Sequence, residues 1–129
     1  MKPKVILCIV AFFAFLLSLN ACQSADEIQQ ARYFVNGKNI YENNCQNCHG
    51  SNGEGLGELY PSLRKSAYIA ENPEKLACTI RFGLNSMPEN PQLTPIEITY
   101  LVNYIGNYFD NSIGFYSQSQ TLDDLKSCN

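Results

Sequence analysis

The sequence is short of histidine, of methionine and of positive charge. Of its 129 residues one is His and two are Met, one of these being the initiator. Lys and Arg number 9 against 12 Asp and Glu, and the formal net charge is -3. A site of two histidines is thereby excluded, and so is an electrostatic nucleic-acid binder, which needs a basic stripe. The length suits one short domain and excludes a multidomain enzyme.

No apolar run is long enough to cross a membrane, but a shorter one stands at the N-terminus. Met-Lys-Pro-Lys is followed by apolar residues from Val5 to Leu19, broken by Ser18. A spanning helix needs about 20 apolar residues. A basic start, a short apolar stretch and a small-residue exit are typical of a secretory signal peptide. We therefore predict that residues 1–21 are a signal peptide and are removed.

The exit of this run, Leu19-Asn20-Ala21-Cys22, resembles the lipobox of bacterial lipoproteins. The resemblance implies cleavage before Cys22 and lipidation of that cysteine; ordinary cleavage near Ala21, with Cys22 free or disulfide-bonded, is the alternative. Several acyl chains on one residue anchor a protein firmly. We predict a chain of the cell envelope that is lipid-anchored, faces the periplasm and uses residues 22–30 as a tether. Disulfides persist in such a compartment.

Cys45-Gln46-Asn47-Cys48-His49 is the C-x-x-C-H pattern of covalent c-type haem attachment. Two thiols at this spacing add to the two haem vinyl groups, and the His directly after the second Cys points its imidazole at the iron. A zinc site would need four ligands, and the sequence has no second Cys/His pair. A thioredoxin-like motif would begin a helix inside a βαβ unit. We predict one covalently attached haem c, with its iron, on Cys45, Cys48 and His49.

Cys78 and Cys128 remain once the other cysteines are assigned. In an oxidising compartment they are expected to form a disulfide that holds the C-terminal tail to the body of the domain. Two unpaired thiols are the alternative. In the chain-entropy model, closing a loop of about 50 residues contributes roughly 4 kcal/mol to stability.

A haem iron held by His49 has a sixth coordination position to fill or to leave open. Met87 is the only Met that remains after removal of the signal peptide, and it lies in the irregular stretch Gly83-Leu84-Asn85-Ser86-Met87-Pro88. A lone Met in a loop is otherwise a packing residue. Since the chain has no second His, we predict Met87 as the second axial ligand of the iron.

Signals for helices dominate the rest of the chain. Helices are expected from about Ile28 to Asn44, from an Asn72 cap to about Phe82, and after a capping box at Thr94-Pro95-Ile96-Glu97. Four Gly between Gly50 and Gly57 predict a tight-turning loop. No stretch alternates as a strand does, so the predicted fold class is all-α. Residues 111–129 are polar and are expected to form a C-terminal extension packed on the surface.

In order and spacing these pieces resemble the class I c-type cytochromes over residues from about Ala31 to Phe109. Gly37 and Tyr41 precede the haem motif where that family has a Gly and an aromatic residue in contact with the last helix. Leu101 and Tyr104 match that helix. The resemblance implies a cytochrome c fold of three to five helices wrapped around one haem, with the domain at residues 31–110.

The same resemblance extends to the surroundings of the iron. Pro61 and Leu63 match the family's Pro-x-Leu, and Met87-Pro88 matches its axial Met. The implied role of Pro61 is to accept, through its carbonyl, a hydrogen bond from the haem His, which orients the ring and raises its basicity. Leu63, Leu76, Ile80 and Leu101 are expected to form the apolar wrapping of the haem.

With both axial positions filled, the iron has no place for a substrate. We therefore predict an electron carrier, not an enzyme, that passes single electrons between redox proteins, in particular membrane respiratory complexes. Small-molecule substrates and nucleic acids are not expected as partners. One alternative is a haem electron-entry subunit of a larger membrane-associated dehydrogenase or reductase. The others are a ligand sensor or peroxidase-like enzyme, if Met87 is not bound, and a dithiol protein without haem.

Overall fold

The regular structure of the chain is helical. The computed structural model describes residues 2–18 and 24–128. Within these two ranges there is no strand, only the isolated bridges of Leu56 with Tyr60 and of Leu84 with Met87. The predicted all-α class is confirmed. The α-helices are α1 (Pro3–Ser18), α2 (Ala25–Asn44), α3 (Gln46–His49), α4 (Ala67–Glu71), α5 (Pro73–Phe82), α6 (Pro95–Asn103) and α7 (Gln118–Ser127), and a π-helical turn (Tyr104–Tyr108) follows α6.

Helix α1 lies within the predicted signal peptide. Its side chains up to Phe13 are exposed. In the described parts of the chain, no helix combines the length and the apolar character needed to cross a membrane. Cys22, the predicted lipidation site, lies outside the described residues together with the rest of the lipobox. The signal peptide and the lipid anchor therefore stay predictions.

Helix α2 begins at Ala25, earlier than the expected start near Ile28. The hydroxyl of Ser24 accepts a hydrogen bond from the backbone N–H of Glu27 at 3.3 Å and so caps the first turn. Asp26 and Glu27 place negative charge at the positive end of the helix. Residues 25–30, expected as part of the tether, are thus the first turns of α2.

The hydrophobic core forms where α2 crosses α6 and the π-helical turn. Gly37 is buried there, and a Cβ at this position would run into the carbonyl oxygen of Tyr100 and approach the Cβ of Tyr104 to 2.7 Å. The fully buried Tyr41 packs on Tyr104 and Phe109 with ring centroids 5.5 and 5.1 Å away. The contact of Gly37 and Tyr41 with the last helix of the domain is confirmed. Buried aliphatic residues complete this core: Ile69, Leu76, Ala77, Ile80, Leu93, Ile98, Leu101, Val102 and Ile105.

The starts of α5 and α6 follow the sequence signals to different degrees. At α6 the Thr94 hydroxyl and the Glu97 carboxylate form the predicted capping box. At α5 the Asn72 side chain makes no capping hydrogen bond. Its Oδ1, the atom that would cap the helix, instead accepts from the Lys75 ammonium at 3.0 Å. Its amide N–H and its backbone N–H both donate to the carbonyl of Tyr68 in the unpredicted helix α4, at 3.1 and 3.0 Å.

The chain beyond residue 110 has more regular structure than the expected polar extension. Ser117 and Gln120 form a capping box that begins α7, a helix that was not predicted from the sequence. Thr121 is fully buried, because α7 packs against α5 and α6. A disulfide joins Cys128 to Cys78 of α5, with the Cα atoms 5.7 Å apart. The described residues of the predicted domain at 31–110 hold the five α-helices α2 to α6, of which α3 and α4 are each about one turn long, whereas α7 lies in the extension.

Candidate functional site

The C-x-x-C-H motif occupies the junction between α2 and α3. The backbone N–H of Cys45 donates to Tyr41 O at 2.8 Å and closes α2, and the N–H of His49 donates to Cys45 O at 3.0 Å within α3. One helical turn therefore carries both thiols and the imidazole. Neither Cys45 nor Cys48 is joined to another cysteine among the described residues.

The two thiols of the motif differ in their surroundings. Cys48 is exposed, whereas Cys45 packs against the core. Burial raises the pKa of the Cys45 thiol to about 11, and the neighbouring Cys48 adds to this rise. A redox dithiol needs a thiolate at neutral pH and hence a lowered thiol pKa. The environment of Cys45 thus argues against the dithiol alternative.

The His49 ring is buried and its orientation is set by one contact. Its Nδ1 lies 3.0 Å from the carbonyl oxygen of Pro61. A carbonyl oxygen only accepts, so Nδ1 is the donor and carries the ring proton. In the neutral form of a ring with this tautomer, Nε2 has the lone pair that a metal ligand requires. The contact is the one the resemblance assigned to Pro61.

Glycines allow the loop after the motif to return Pro61 to the histidine. We call residues 50–66 the His-side loop. Gly50, Gly53, Gly55 and Gly57 all have positive φ, which residues with a Cβ rarely adopt. A Cβ on Gly55 would run into the carbonyl oxygen of Tyr60 and lie 2.7 Å from the carbonyl carbon of Pro61. The predicted tight-turning loop is confirmed, and its turns bring the chain back over itself.

The far end of the His-side loop is held by a residue from outside the loop. The buried Asn111 donates through Nδ2 to the carbonyls of Leu63 and Ile105 at 2.8 and 2.9 Å and accepts at Oδ1 from the Ser66 N–H at 2.7 Å. Both N–H donors of its amide and one of the two lone pairs of its oxygen are therefore bonded to backbone groups. Asn111 was not predicted as a functional residue, because a single Asn in a polar stretch carries no signal of this role.

Met87 lies in a second loop, residues 83–90, which we call the Met-side loop. The Met87 N–H donates to Leu84 O at 2.9 Å, and Gly83, at φ +74°, lies against the Met87 carbonyl. The side chain of Met87 is half-buried. These contacts tie Met87 to its own loop, and its pairing with His49 across a haem iron stays a prediction.

Apolar side chains with unusual exposure stand in or beside these two loops. Outside α1, the most exposed large apolar side chains of the described residues are Leu56, Leu59 and Phe82, at 64%, 63% and 58%. Leu84, in the Met-side loop, is 51% exposed; between these values lies only Val35 of α2. Exposed apolar surface indicates a contact with an apolar group. The two thiols of the motif are unpaired among the described residues, and the His49 Nε2 has no hydrogen-bond partner among them. Together with these groups, the apolar surface fits a haem c. Of the expected wrapping residues, Leu76, Ile80 and Leu101 lie in the core and Leu63 is half-buried against it.

An all-α domain whose first long helix runs into C-x-x-C-H, with the motif histidine oriented by a proline carbonyl, is a c-type cytochrome, a protein that binds haem c covalently and transfers electrons. Residues 34–105, more than half of the chain, match the family model described as cytochrome c oxidase, cbb3-type, subunit III. The chain belongs to this family and has the all-α cytochrome c fold. A comparison with curated proteins finds no match.

Proposed function

We propose that the chain is a membrane-anchored mono-haem cytochrome that carries single electrons between respiratory redox partners, with the iron between His49 and Met87. The observation that carries the proposal is the 3.0 Å contact of His49 Nδ1 with the Pro61 carbonyl, because it leaves Nε2 as the ligand atom. When bound, haem c supplies a one-electron change between ferric and ferrous iron.

Each residue of the site has a distinct task in this proposal. The thiols of Cys45 and Cys48 attach the porphyrin, and Pro61 keeps the His49 ring in one orientation and tautomer. The Tyr41 hydroxyl donates to the carbonyl of Gly50 at 2.7 Å and so holds the start of the His-side loop against α2. A Met87 thioether opposite a histidine raises the reduction potential, and two protein ligands leave no position for a substrate.

The anchor and the compartment belong to the proposal. Residues 1–21 are the removed signal peptide, Cys22 carries the lipid, and the cytochrome domain at residues 31–110 with its extension at 111–129 faces the periplasm. Sequence patterns alone support this part. A lipid anchor holds the domain close to membrane complexes and raises its effective concentration there.

The family name favours a second candidate function. The matched family is described as a subunit of an oxidase, so the chain can serve as the haem electron-entry subunit of a larger membrane-associated dehydrogenase or reductase. The two functions differ in whether the native protein is found alone or in a complex with other subunits. After gentle detergent extraction, a carrier is expected to run alone on size-exclusion chromatography, whereas a subunit is expected to run with its complex.

The visible spectrum of the haem-loaded protein tests the ligand set. We expect the oxidised protein to show the weak far-red band of Met-ligated ferric haem, and we expect this band to vanish in Met87→Ala. Leu122→Ala, an exposed position on α7, is the matched control and should keep the band.

Two other results would change the proposal. Covalent haem without the far-red band would remove Met87 as a ligand and favour the ligand-sensor or peroxidase-like function. Absence of covalent haem after expression with the attachment machinery would overturn the whole proposal.

A further inference from the structure

Asn90 lies where the Met-side loop returns to α5. Its Nδ2 donates to the carbonyl of Ile80 at 3.0 Å and, at a longer 3.4 Å, to that of Pro88. Its backbone N–H donates to the carbonyl of Arg81 at 3.0 Å. Ile80 and Arg81 belong to the last turn of α5, whose carbonyls have no partner within the helix. Asn90 therefore joins the two ends of the loop.

The rest of the loop is closed by short-range contacts. The N–H of Met87 donates to Leu84 O at 2.9 Å, and Asn85 adopts the left-handed conformation at φ +53° that this tight turn uses. The Arg81 guanidinium donates to the carbonyl of Pro91 at 2.8 Å, just beyond the loop. Asn90 is the one loop residue whose side-chain amide bridges the helix end and the residue next to Met87.

We propose that Asn90 is a positioning residue that holds Met87 at the haem iron. The inference rests on the proposed function, in which Met87 is the axial ligand. The two donors of the Asn90 amide close the base of the loop, and without them the loop opens more often and carries the thioether away from the iron. The domain itself stays folded, because the side-chain hydrogen bonds of Asn90 are confined to the loop and the end of α5, and its backbone contacts are kept in a side-chain variant.

A space-filling role for Asn90 predicts a different result from a hydrogen-bonding role. Asn90→Asp keeps the size and shape of the side chain but replaces the amide donors by carboxylate oxygens, which only accept. A carboxylate that faces two carbonyl oxygens is also repelled by them. If the donors matter, Asn90→Asp is expected to open the loop at least as often as Asn90→Ala does.

Carbon monoxide binding to the reduced, haem-loaded protein measures how often the sixth position opens. We expect Asn90→Ala and Asn90→Asp to bind carbon monoxide about tenfold faster than the parent protein, since removal of a donor from a partly buried carbonyl changes an equilibrium by about that factor. Hydrogen exchange of the Met87 amide should accelerate in parallel. Gln92→Ala, an exposed amide without a side-chain hydrogen bond in the described structure, is the matched control and should match the parent.

Comparison of the Met87 and Asn90 variants shows whether the axial ligand or the positioning role is wrong. If Met87→Ala binds carbon monoxide freely while both Asn90 variants match the parent, the positioning role is overturned and the ligand stands. If Asn90→Ala acts but Asn90→Asp does not, the role is space-filling and the proposal falls. If Met87→Ala itself matches the parent, the proposed ligand falls and the positioning role falls with it. Equal acceleration of exchange in α6, for example at Leu101, would show a global loss of stability and would also overturn it.

Discussion

The two loops of the site are held in different ways. The His-side loop is tied to residues far along the chain: Asn111 binds its backbone at Leu63 and Ser66, and the Lys65 N–H donates to the carbonyl of Phe109 at 2.9 Å. The Met-side loop is tied mainly to the last turn of α5, through partners ten residues away or fewer. A loop held by contacts of short range can open while most of the domain stays folded, whereas a loop held by long-range contacts opens only when the core unfolds.

This difference matches the tasks proposed for the two sides. The His side carries the covalent attachment and the ring orientation, and both depend on a return of the chain to Pro61. The Met side supplies one ligand from a loop that folds on itself. We therefore expect the iron to lose Met87 well before it loses His49 under mild denaturing conditions.

The largest change in this comparison is expected from removal of the disulfide. The bond between Cys78 and Cys128 spans 50 residues and gives α5 a covalent tie to the end of the chain. Replacement of both cysteines by Ala should lower the free energy of unfolding by up to about 4 kcal/mol, measured by denaturant unfolding of the haem-loaded protein. Exchange should rise more in the Met-side loop than in the His-side loop, because α5 precedes the former.

A reducing agent provides the control for the disulfide. It should destabilise the parent protein to the level of the double variant and leave the double variant unchanged. A loss below about 1 kcal/mol would be within the range of ordinary substitutions, and it would mean that packing alone holds α5 in place.

A pair of glycine substitutions tests the His-side loop. Gly55 and Gly57 have φ values of +70° and +55°, but only Gly55 has backbone packed where a Cβ would stand. Gly55→Ala should cost about 3 kcal/mol, from strain and from displacement of Pro61, whereas Gly57→Ala should cost about 1 kcal/mol from conformation alone. Denaturant unfolding measures both, and equal losses would contradict the close return of the chain at Gly55.

Gly83→Ala is the corresponding test of the Met-side loop. Gly83 has a φ of +74°, and a Cβ on it would run into the carbonyl oxygen of Met87. We expect a loss of about 2 kcal/mol, smaller than for Gly55→Ala because a locally tied loop can shift. The far-red band should weaken while the helical circular dichroism stays. An intact band would show that the loop absorbs the added methyl group without moving Met87.

The smallest expected effect concerns pH and lies outside both loops. Hydrogen bonds from the Thr94 side chain and backbone lower the pKa of Glu97 below its ordinary value of 4.5. The ionised carboxylate is the stabilising form, so its contribution is present above pH 4.5 and is lost as the pH falls through the lowered pKa. Because Glu97 lies at the surface, we expect less than about 1 kcal/mol.

Glu97→Gln should therefore flatten the acid side of the stability curve and leave hydrogen exchange in the two loops unchanged. Glu89→Gln, at an exposed position without a side-chain hydrogen bond in the described structure, is the matched control. Acid titration of the parent protein could also change hydrogen exchange in the Met-side loop. If Glu97→Gln removed that change, the start of α6 would be coupled to Met87, and the expected independence of Glu97 from the two loops would be contradicted.

Local signals predicted the helices with different success. The capping box at Thr94 and Glu97 placed α6, and Gly83 ended α5 as expected. Asn72 was predicted as a cap, but its Oδ1 accepts from the Lys75 ammonium and its amide N–H donates to the end of α4, so no backbone N–H of α5 is capped. The capping box at Ser117 and Gln120 is a signal for the start of α7 that lies in the sequence itself, although the segment around it is polar.

The sequence alone determined the chemistry of the site. Cys45, Cys48 and His49 are neighbours in the chain, so the motif they form and the haem chemistry it predicts can be read without knowledge of the rest of the fold. Only the tertiary structure decided what surrounds them. The burial of Asn111 and of Thr121 and the hydrogen bonds of Asn111 to the backbone of Leu63 and Ser66 depend on segments that meet only after folding. Local propensity cannot encode such contacts, because the free energy of a polar side chain depends on which distant carbonyls it reaches.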